Sequence, residues 1–390
     1  MAEWKNYTLE EVCERIYSGG TPSTKHKEYW NGDIRWLSSG ETSQRFVYDT
    51  ERKITQKGVD NSSTKLATKG CTVIATAGQG YTRGQASFLM TDTYMNQSVI
   101  ACKANEDIVL PLYLYYNLDS RYEEFRLLSD GTSTRGGLSG WIVKRMNIKL
   151  PPITAQKKII GMLYAIDQKI EKNNAINKNL LEQLHVLYLR LFCNSAMDTP
   201  LGDVVATTSG GTPSRKHDEY YSDSSICWVK SKELLGNYIH ETEEHINDLA
   251  IKKSSAKLLP EHSVLIAMYG ATVGAYGVIY KPMTCNQAVC ALLCNENYPY
   301  TYLFQIAYES QQKFINLAVG SAQQNISQVL IKQLNLHSDL NIIQRFHDLA
   351  LPMHQEIEFL QAENIRLSDL RDNLLPKLMS GELDVSNVEI

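Results

Sequence analysis

Few residues in this chain are spaced for chemistry. Cys285, Cys290 and Cys294 form a C-x4-C-x3-C run. Thiolate metal sites use C-x2-C-type pairs completed by a fourth Cys or His, and here Ala291-Leu292-Leu293 separates the last two cysteines. The run is therefore expected to be buried strand thiols, with no metal. Gly78-Gln79-Gly80-Tyr81-Thr82-Arg83-Gly84 and the stretch 270–277 are rich in glycine. Neither has the Gly-x-x-x-x-Gly-Lys-Ser/Thr or Gly-x-Gly-x-x-Gly spacing that cradles phosphate, so both are expected to be tight turns. Asn297-Tyr298-Pro299-Tyr300 lacks the second proline of the Asn-Pro-Pro-Tyr signature of amino-methyltransferases. His26 and His217 lie in Lys-containing, surface-like stretches with no nucleophile nearby. No paired carboxylates and no Ser/His/Asp set recur. The expectation is a chain with no catalytic residue and no bound cofactor, a recogniser rather than an enzyme.

What does recur is architecture. Ser18-Gly19-Gly20-Thr21-Pro22-Ser23 returns as Ser209-Gly210-Gly211-Thr212-Pro213-Ser214, and Lys25-His26-Lys27-Glu28-Tyr29 as Lys216-His217-Asp218-Glu219-Tyr220. Trp36, Glu41, Asn96-Gln97, Gly131, Ser139, Lys144 and Gln156 match Trp228, Glu233, Asn286-Gln287, Gly320, Ser327, Lys332 and Gln344 in the same order. A colinear series of this kind identifies an internal duplication of a unit of about 190 residues. Gly19, Gly20, Thr21, Pro22 and their counterparts Gly210, Gly211, Thr212 and Pro213 are read as structural.

Each copy begins with β-branched and aromatic runs punctuated by Gly, Ser, Thr and Asn, such as residues 71–76 and 263–268, which read as strands. Short helices are expected at 111–117 and 300–308. Each copy ends in a long helical pattern, 154–192 and 341–379. The first seam runs through 159, 163, 166, 170, 180, 184, 187 and 191, with Asn173 and Asn177 between. The second runs through Phe346, Ala350, Met353, Ile357, Leu360, Asn364, Leu367, Leu370 and Leu374, and Pro352 should kink or break it. Two such helices pair most simply as an antiparallel coiled coil, with Asn173, Asn177 and Asn364 setting register. The fold class is α+β: two repeated, mixed α/β globular domains joined by two long helices, with an internal pseudo-two-fold repeat. The expected segments are a first domain at 1–150, a first spacer helix at 151–196, a second domain at 197–338 and a second spacer helix at 339–390.

The 390 residues carry a formal net charge of -4. By segment the net charges are +2 (1–150), +3 (151–196), -3 (197–338) and -6 (339–390). Non-specific DNA affinity rests on neutralised phosphates, so DNA binding by this chain is expected to depend on partners that supply cations. No run approaches the roughly 20 apolar residues of a membrane span, and Met1-Ala2-Glu3-Trp4-Lys5-Asn6 carries no apolar signal core. The chain is expected in the cytoplasm, with its scattered cysteines reduced and buried.

The paired Gly-Gly-Thr-Pro-Ser motifs, the Trp36 and Trp228 segments, Leu150-Pro151-Pro152 with Gln156, and the run from Leu370 through Leu375-Pro376-Lys377-Leu378-Met379-Ser380-Gly381-Glu382-Leu383 resemble the specificity subunit of type I restriction–modification enzymes over essentially the whole chain. The resemblance implies two target-recognition domains, each reading half of a bipartite, non-palindromic site in double-stranded DNA. It also implies two methyltransferase (modification) subunits as partners, with S-adenosylmethionine in those subunits. A separate motor-nuclease (restriction) subunit would use ATP and Mg. The chain departs from the pattern in lacking the Pro-Pro pair before its second helix, where Leu336-His337-Ser338-Asp339 stands instead. Two other classes stay open: an autonomous nucleic-acid-processing enzyme and a coiled-coil scaffold without a DNA role. Base and phosphate contacts are expected from the variable loops, at Thr42, Gln44, Arg45, Gln79, Tyr81, Thr82 and Arg83 in the first domain. In the second they are Lys230, Lys232, Tyr269, Thr272 and Tyr276. Arg83 is suited to guanine and Gln79 to adenine.

Overall fold

A computed structural model describes residues 3–78, 80–130, 137–319, 325–386 and 388. The chain divides into two compact units, residues 1–168 with 367–390 and residues 169–366. Each long helix therefore contributes one part to each unit.

In the first unit, strand Lys5–Thr8 pairs antiparallel with Asn147–Leu150. A five-stranded sheet runs in the order Cys13–Ser18, Val99–Ala104, Thr72–Ala75, Ala86–Leu89, Phe46–Val47. Its last pair is parallel and the others antiparallel. A four-stranded sheet holds Arg52–Ile54, Trp30–Leu37, Thr93–Met95 and Lys65–Ala67. The second unit repeats this plan. Met197–Pro200 pairs with Asn335–His337, and a five-stranded sheet runs Ala206–Ser209, Val289–Leu293, Val264–Ala267, Tyr276–Ile279, Asn237–Ile239. A smaller sheet holds His245–Ile246, Ile226–Val229 and Thr284–Cys285. The duplication read from the motifs is thus a duplication of topology, down to the parallel edge strand.

Strand residues 72–75 and 264–267 are buried on both faces, because each sheet lies between two apolar layers. In the first unit one layer contains Ile74, Phe88, Tyr113, Tyr115, Tyr116 and Phe125, together with Ile159, Leu163, Leu375 and Leu378 from the long helices. In the second unit Leu184, Tyr188 and Phe192 join Ile343, Phe346, Ala350 and Ile357 against Val264, Val278, Tyr302 and Phe304. Every long-helix segment is thus part of a domain core.

The helices are Ile153–Phe192 and Leu340–Ser380. Pro352 neither breaks nor ends the second one. It removes one backbone donor, but Phe346 and Ala350 before it and Ile357 and Leu360 after it are all buried, and that burial holds the helical path. Asp339 stands in for the missing prolines, since its carboxylate accepts from the backbone N–H groups of Asn341 (3.0 Å) and Ile342 (3.2 Å), an N-terminal cap. The shorter helices also differ from expectation. The first spans Pro111–Asp119 and is followed by Tyr122–Asp130, whereas its counterpart is one helix, Tyr300–Val319.

Pairing of the long helices is antiparallel within each unit. In the second unit Lys169 and Asn173 meet Glu363 and Asn364, while Tyr188 meets Phe346. Asn173 donates to Asn364 Oδ1 (2.8 Å) and to Glu363 (2.6 Å), and Asn364 donates to Asn174 (2.8 Å). Asn177 is buried, but its Oδ1 has no hydrogen-bond partner among the described residues. The register contact is therefore Asn173 with Asn364. In the first unit the expected seam residue Leu370 is 48 % exposed. Arg371 points inward instead, and its Nη1 lies 2.9 Å from Asp167, which is 2 % exposed. Asp167 also accepts from the Tyr116 hydroxyl (2.7 Å) and pairs with Arg45 Nε (3.3 Å).

Removing one member of a buried ion pair leaves the other charge uncompensated. Asp167→Ala should lower the unfolding free energy by about 3–5 kcal/mol in denaturant titration. Replacing Asp167 and Arg371 together by leucine should recover much of that loss. In the second unit, burial pushes His354, whose Nδ1 lies 2.8 Å from the Tyr238 hydroxyl, down to about 3. Its contribution to stability is complete above the unfolded histidine value, about 6.5, and is lost as pH falls from there toward 3. Unfolding free energy should fall by about 1.4 kcal/mol per pH unit across that window, and His354→Gln should flatten the slope.

Candidate nucleic-acid interface

The recurring motifs build the frame of this site. A Cβ on Gly19 would lie 1.9 Å from the Met95 carbonyl oxygen, and one on Gly210 would lie 2.1 Å from that of Cys285. Only glycine lets these backbones pass. The next glycine in each copy offers its carbonyl to an indole: Trp36 Nε1 donates to Gly20 (3.2 Å) and Trp228 Nε1 to Gly211 (3.0 Å). Thr21 donates to Gln97 and Thr212 to Gln287. Glu41 accepts from the backbone of Ser38 and Glu51, and Glu233 from that of Lys230 and Glu243. Ser139 and Ser327 cap short helices at Ile142 and Leu330. Gln156 and Gln344 break the pattern. Gln156 is fully buried on Leu110, Ile108 and Pro151, whereas Gln344 is exposed and bonds only Asp348 among the described residues. Gly131 and Gly320 lie outside the described residues.

Part of this frame is not evident from the motifs. Thr50 and Thr242 accept from the backbone N–H groups of Trp36 and Trp228, both at 3.1 Å. Arg52 lies 3.9 Å from the Trp30 ring centroid and 5.3 Å from that of Trp36; Arg215 lies 4.3 Å from Tyr221 and 5.5 Å from Trp228. The threonine pair was findable, because both lie 14 residues after the matched tryptophans. The cations come from different sequence positions, so no alignment of the copies reveals them. His26 and His217 stack on Tyr29 and Tyr220, at 4.8 and 4.9 Å, and hydrogen bond Glu28 and Glu219. Each packs against residues of its own segment.

The glycine-rich segments are turns at the ends of hairpins. Gly84 and Gly274 both have positive φ, +91° and +80°, and both press against a helix, beside Phe125 and Gln311 respectively. The first turn is tied down by Tyr122, which donates to the Tyr81 carbonyl (3.0 Å), and by Arg126, which donates to that of Gly80 (2.6 Å). Loop 39–45 lies beside it. A cavity of about 360 Å³ is lined by Thr42, Ser43, Arg45 and Tyr81 with Asp119 and Tyr122. Two sets of candidate residues some 40 positions apart in sequence therefore converge.

Convergence does not make all of them available. Thr42 is 1 % exposed; its hydroxyl donates to Ser39 and its carbonyl accepts from Ser87, so it holds the loop rather than facing a base. Arg45 is drawn inward to Asp119 (3.0 Å) and Asp167. Tyr276 is buried against Phe304 and Tyr308, because it opens a strand whose inner face meets that helix. Gln44 and Tyr81 are exposed, Tyr81 by 82 %, while Thr82 and Arg83 are half-buried. Gln79 lies outside the described residues. In the second unit Tyr269 is exposed, and Thr272 donates to its carbonyl (3.1 Å).

Lys230 and Lys232 are already paired. Lys230 Nζ lies 2.6 Å from Glu244 and 3.1 Å from Glu243, and Lys232 lies 2.7 Å from Glu243. The Glu244 hydrogen bond raises the Lys230 pKa, and those from the lysines hold Glu243 and Glu244 below the usual carboxylate range. A phosphate approaching either ammonium competes with these carboxylates for its donors.

Burial pushes Cys285, Cys290 and Cys294 up to about 12, the chemistry of inert thiols. Cys193 departs from expectation in being exposed, since it follows the last turn of a helix. No described helix is long and apolar enough to cross a membrane.

Residues 1–182 and 196–337 each match the model of the type I restriction modification DNA specificity domain. The chain is 26 % identical to the type I restriction enzyme MjaIX specificity subunit of Methanocaldococcus jannaschii, over 99 % of this chain and 95 % of that one. It is 20 % identical to the HindI specificity subunit of Haemophilus influenzae, over 98 % and 100 %. The fold is similar to the crystal structure of a type I restriction–modification S subunit from M. genitalium, with a TM-score of 0.61 and 13 % identity over 97 % of this chain and 96 % of that one.

Replacing either indole by phenylalanine leaves a glycine carbonyl without its donor. Trp36→Phe and Trp228→Phe should each cost about 1–3 kcal/mol. Hydrogen exchange should quicken around 20–23 in the first variant and around 211–214 in the second.

Proposed function

Because the chain belongs to the family of type I restriction modification DNA specificity domains, we propose that it is the non-catalytic subunit that selects the DNA sequence for a type I restriction–modification complex. Each unit reads one half of a bipartite, non-palindromic site. The observation that carries this reading is one scaffold built twice with different loop chemistry. The Gly–Trp–Thr–Gln–Glu frame recurs bond for bond, while Ser38 and Gly40 in the first copy stand where the second carries Lys230 and Lys232, and Gln44 stands where the second has Gly236.

The residues that meet DNA in the first domain are Gln44, Gln79, Tyr81, Thr82 and Arg83. In the second they are Lys232, Tyr269 and Thr272, with Lys230 once its carboxylates yield. Thr42, Arg45 and Tyr276 act from behind, by shaping the loops. A frame of glycine, indole and amide hydrogen bonds positions loops but moves no proton, which favours recognition over catalysis. Partner methyltransferase subunits, with S-adenosylmethionine, carry out adenine modification, and restriction subunits with ATP and Mg carry out cleavage, in the cytoplasm. With acidic groups holding Lys230 and Lys232 and a net charge of -4, affinity for DNA comes largely from cations that those partners add.

Co-expression with a cognate methyltransferase subunit should place adenine methylation at one bipartite motif, read by single-molecule methylation mapping. Exchanging residues 1–150 with those of a relative should change one half-site and leave the other. Methylation that ignores this exchange would overturn the reading. In the assembled complex, Lys232→Gln should reduce the salt slope of DNA binding by about one phosphate contact, roughly 0.9 in log–log slope.

A further inference from the structure

Three side chains from within a stretch of chain 227–245 meet beside Trp228. Cys227 Sγ lies 2.9 Å from Glu241 Oε1, and His245 Nε2 lies 2.5 Å from the same oxygen. One ligand atom from each residue falls within 4.8 Å of the others. Cys227 is 1 % exposed, His245 half-buried, and Glu241 open to solvent.

The duplication shows how unusual this set is. Trp36 and Trp228 are equivalent, as are Thr50 and Thr242, which bond them identically. The same offset of 192 aligns Arg35, Asp49 and Lys53 with Cys227, Glu241 and His245. In the first unit Asp49 is bracketed by two cations, Arg35 Nε at 2.8 Å and Lys53 Nζ at 3.4 Å. The second unit keeps the central carboxylate and replaces both cations by a thiol and an imidazole. Those are the side chains that carry lone pairs to a borderline-soft metal ion. A nucleophilic triad is excluded by geometry, because the carboxylate sits between thiol and imidazole rather than behind the imidazole.

We propose that Cys227, Glu241 and His245 bind a divalent transition-metal ion, with zinc the best fit to a thiolate, an imidazole and a carboxylate. Binding replaces the Cys227 proton, which leaves to solvent, so thiolate and carboxylate together balance the charge of the ion. Three protein ligands leave a fourth position for water. The ion takes the place of the two cations of the first unit and clips strand Ile226–Val229 to the segment 241–246. That segment also carries Glu243 and Glu244, the partners of Lys230 and Lys232. Lys281 Nζ, 3.3 Å from Glu241 Oε2 and 43 % exposed, competes for the carboxylate and swings out to solvent on loading. The proposal does not depend on the DNA reading.

The test uses the purified full-length chain, stripped with chelator. Zinc is titrated against a chromophoric chelator, and cobalt(II) is read by its thiolate charge-transfer absorption. One equivalent per chain is expected for each. Cys227→Ser and His245→Gln should weaken zinc binding at least tenfold, while Cys193→Ser, which removes the exposed thiol, should not. Lys281→Met should tighten it. The double replacement Cys227→Arg with His245→Lys reproduces the first unit's set; it should fold, by circular dichroism, and bind no ion. Absence of a saturable single site in the native chain would overturn the proposal, as would binding that survives either His245→Gln or the double replacement.

Discussion

A single buried carboxylate organises the first unit. Asp167 lies on the first long helix, and its oxygens gather the Tyr116 hydroxyl, the Arg371 guanidinium and Arg45. Those donors come from the helix Pro111–Asp119, the second long helix and the loop after residue 43. A buried charge is tolerable only when its lone pairs are answered, so domain helix, loop and helix pair must all arrive in one register. Asp119 completes the cluster; burial raises its pKa against the pull of Arg45. The second unit buries neutral partners instead, with the charged Lys169–Glu363 pair at the edge of the contact. Tyr238 bonds neutral His354, Gln361 accepts from the Tyr238 backbone, and Asn173 meets Asn364. The loop that presents the proposed DNA contacts is anchored in both cases by what lies behind it.

The two copies therefore diverge in polarity while keeping their topology. Gly19 and Gly210 leave no room for a side chain, and the indole bonds to Gly20 and Gly211 hold the next turn. Such positions cannot drift, because each error strands a buried backbone group. Solvent-facing loops carry no such penalty. Gln44, Tyr81, Lys232 and Tyr269 are exposed, so their side chains are not held by packing.

Electrostatics explains why the surface does not resemble that of an independent DNA binder. The two lysines among the proposed contacts of the second domain sit against carboxylates, and Glu243 serves both at once. An ammonium whose charge is already partly answered by a carboxylate gains less from a phosphate than a free one does.

The sequence alone determined the duplication, the mixed α/β domains, the two long helices and their antiparallel pairing, because periodicity and repeated motifs are local records of burial. It also marked which glycines and tryptophans are structural, since identity at matched positions survives where packing is tight. Tertiary structure decided the rest. Pro352 stays helical because the core on both sides outweighs one lost hydrogen bond, and Arg371 displaces Leu370 from the seam because Asp167 waits opposite. Thr42, Arg45 and Tyr276 carry side chains suited to DNA yet turn inward, for only packing decides which face of a loop residue meets solvent. The meeting of Cys227 with Glu241 and His245 is likewise a product of strand pairing, across 14 and 18 residues of chain that no spacing rule connects.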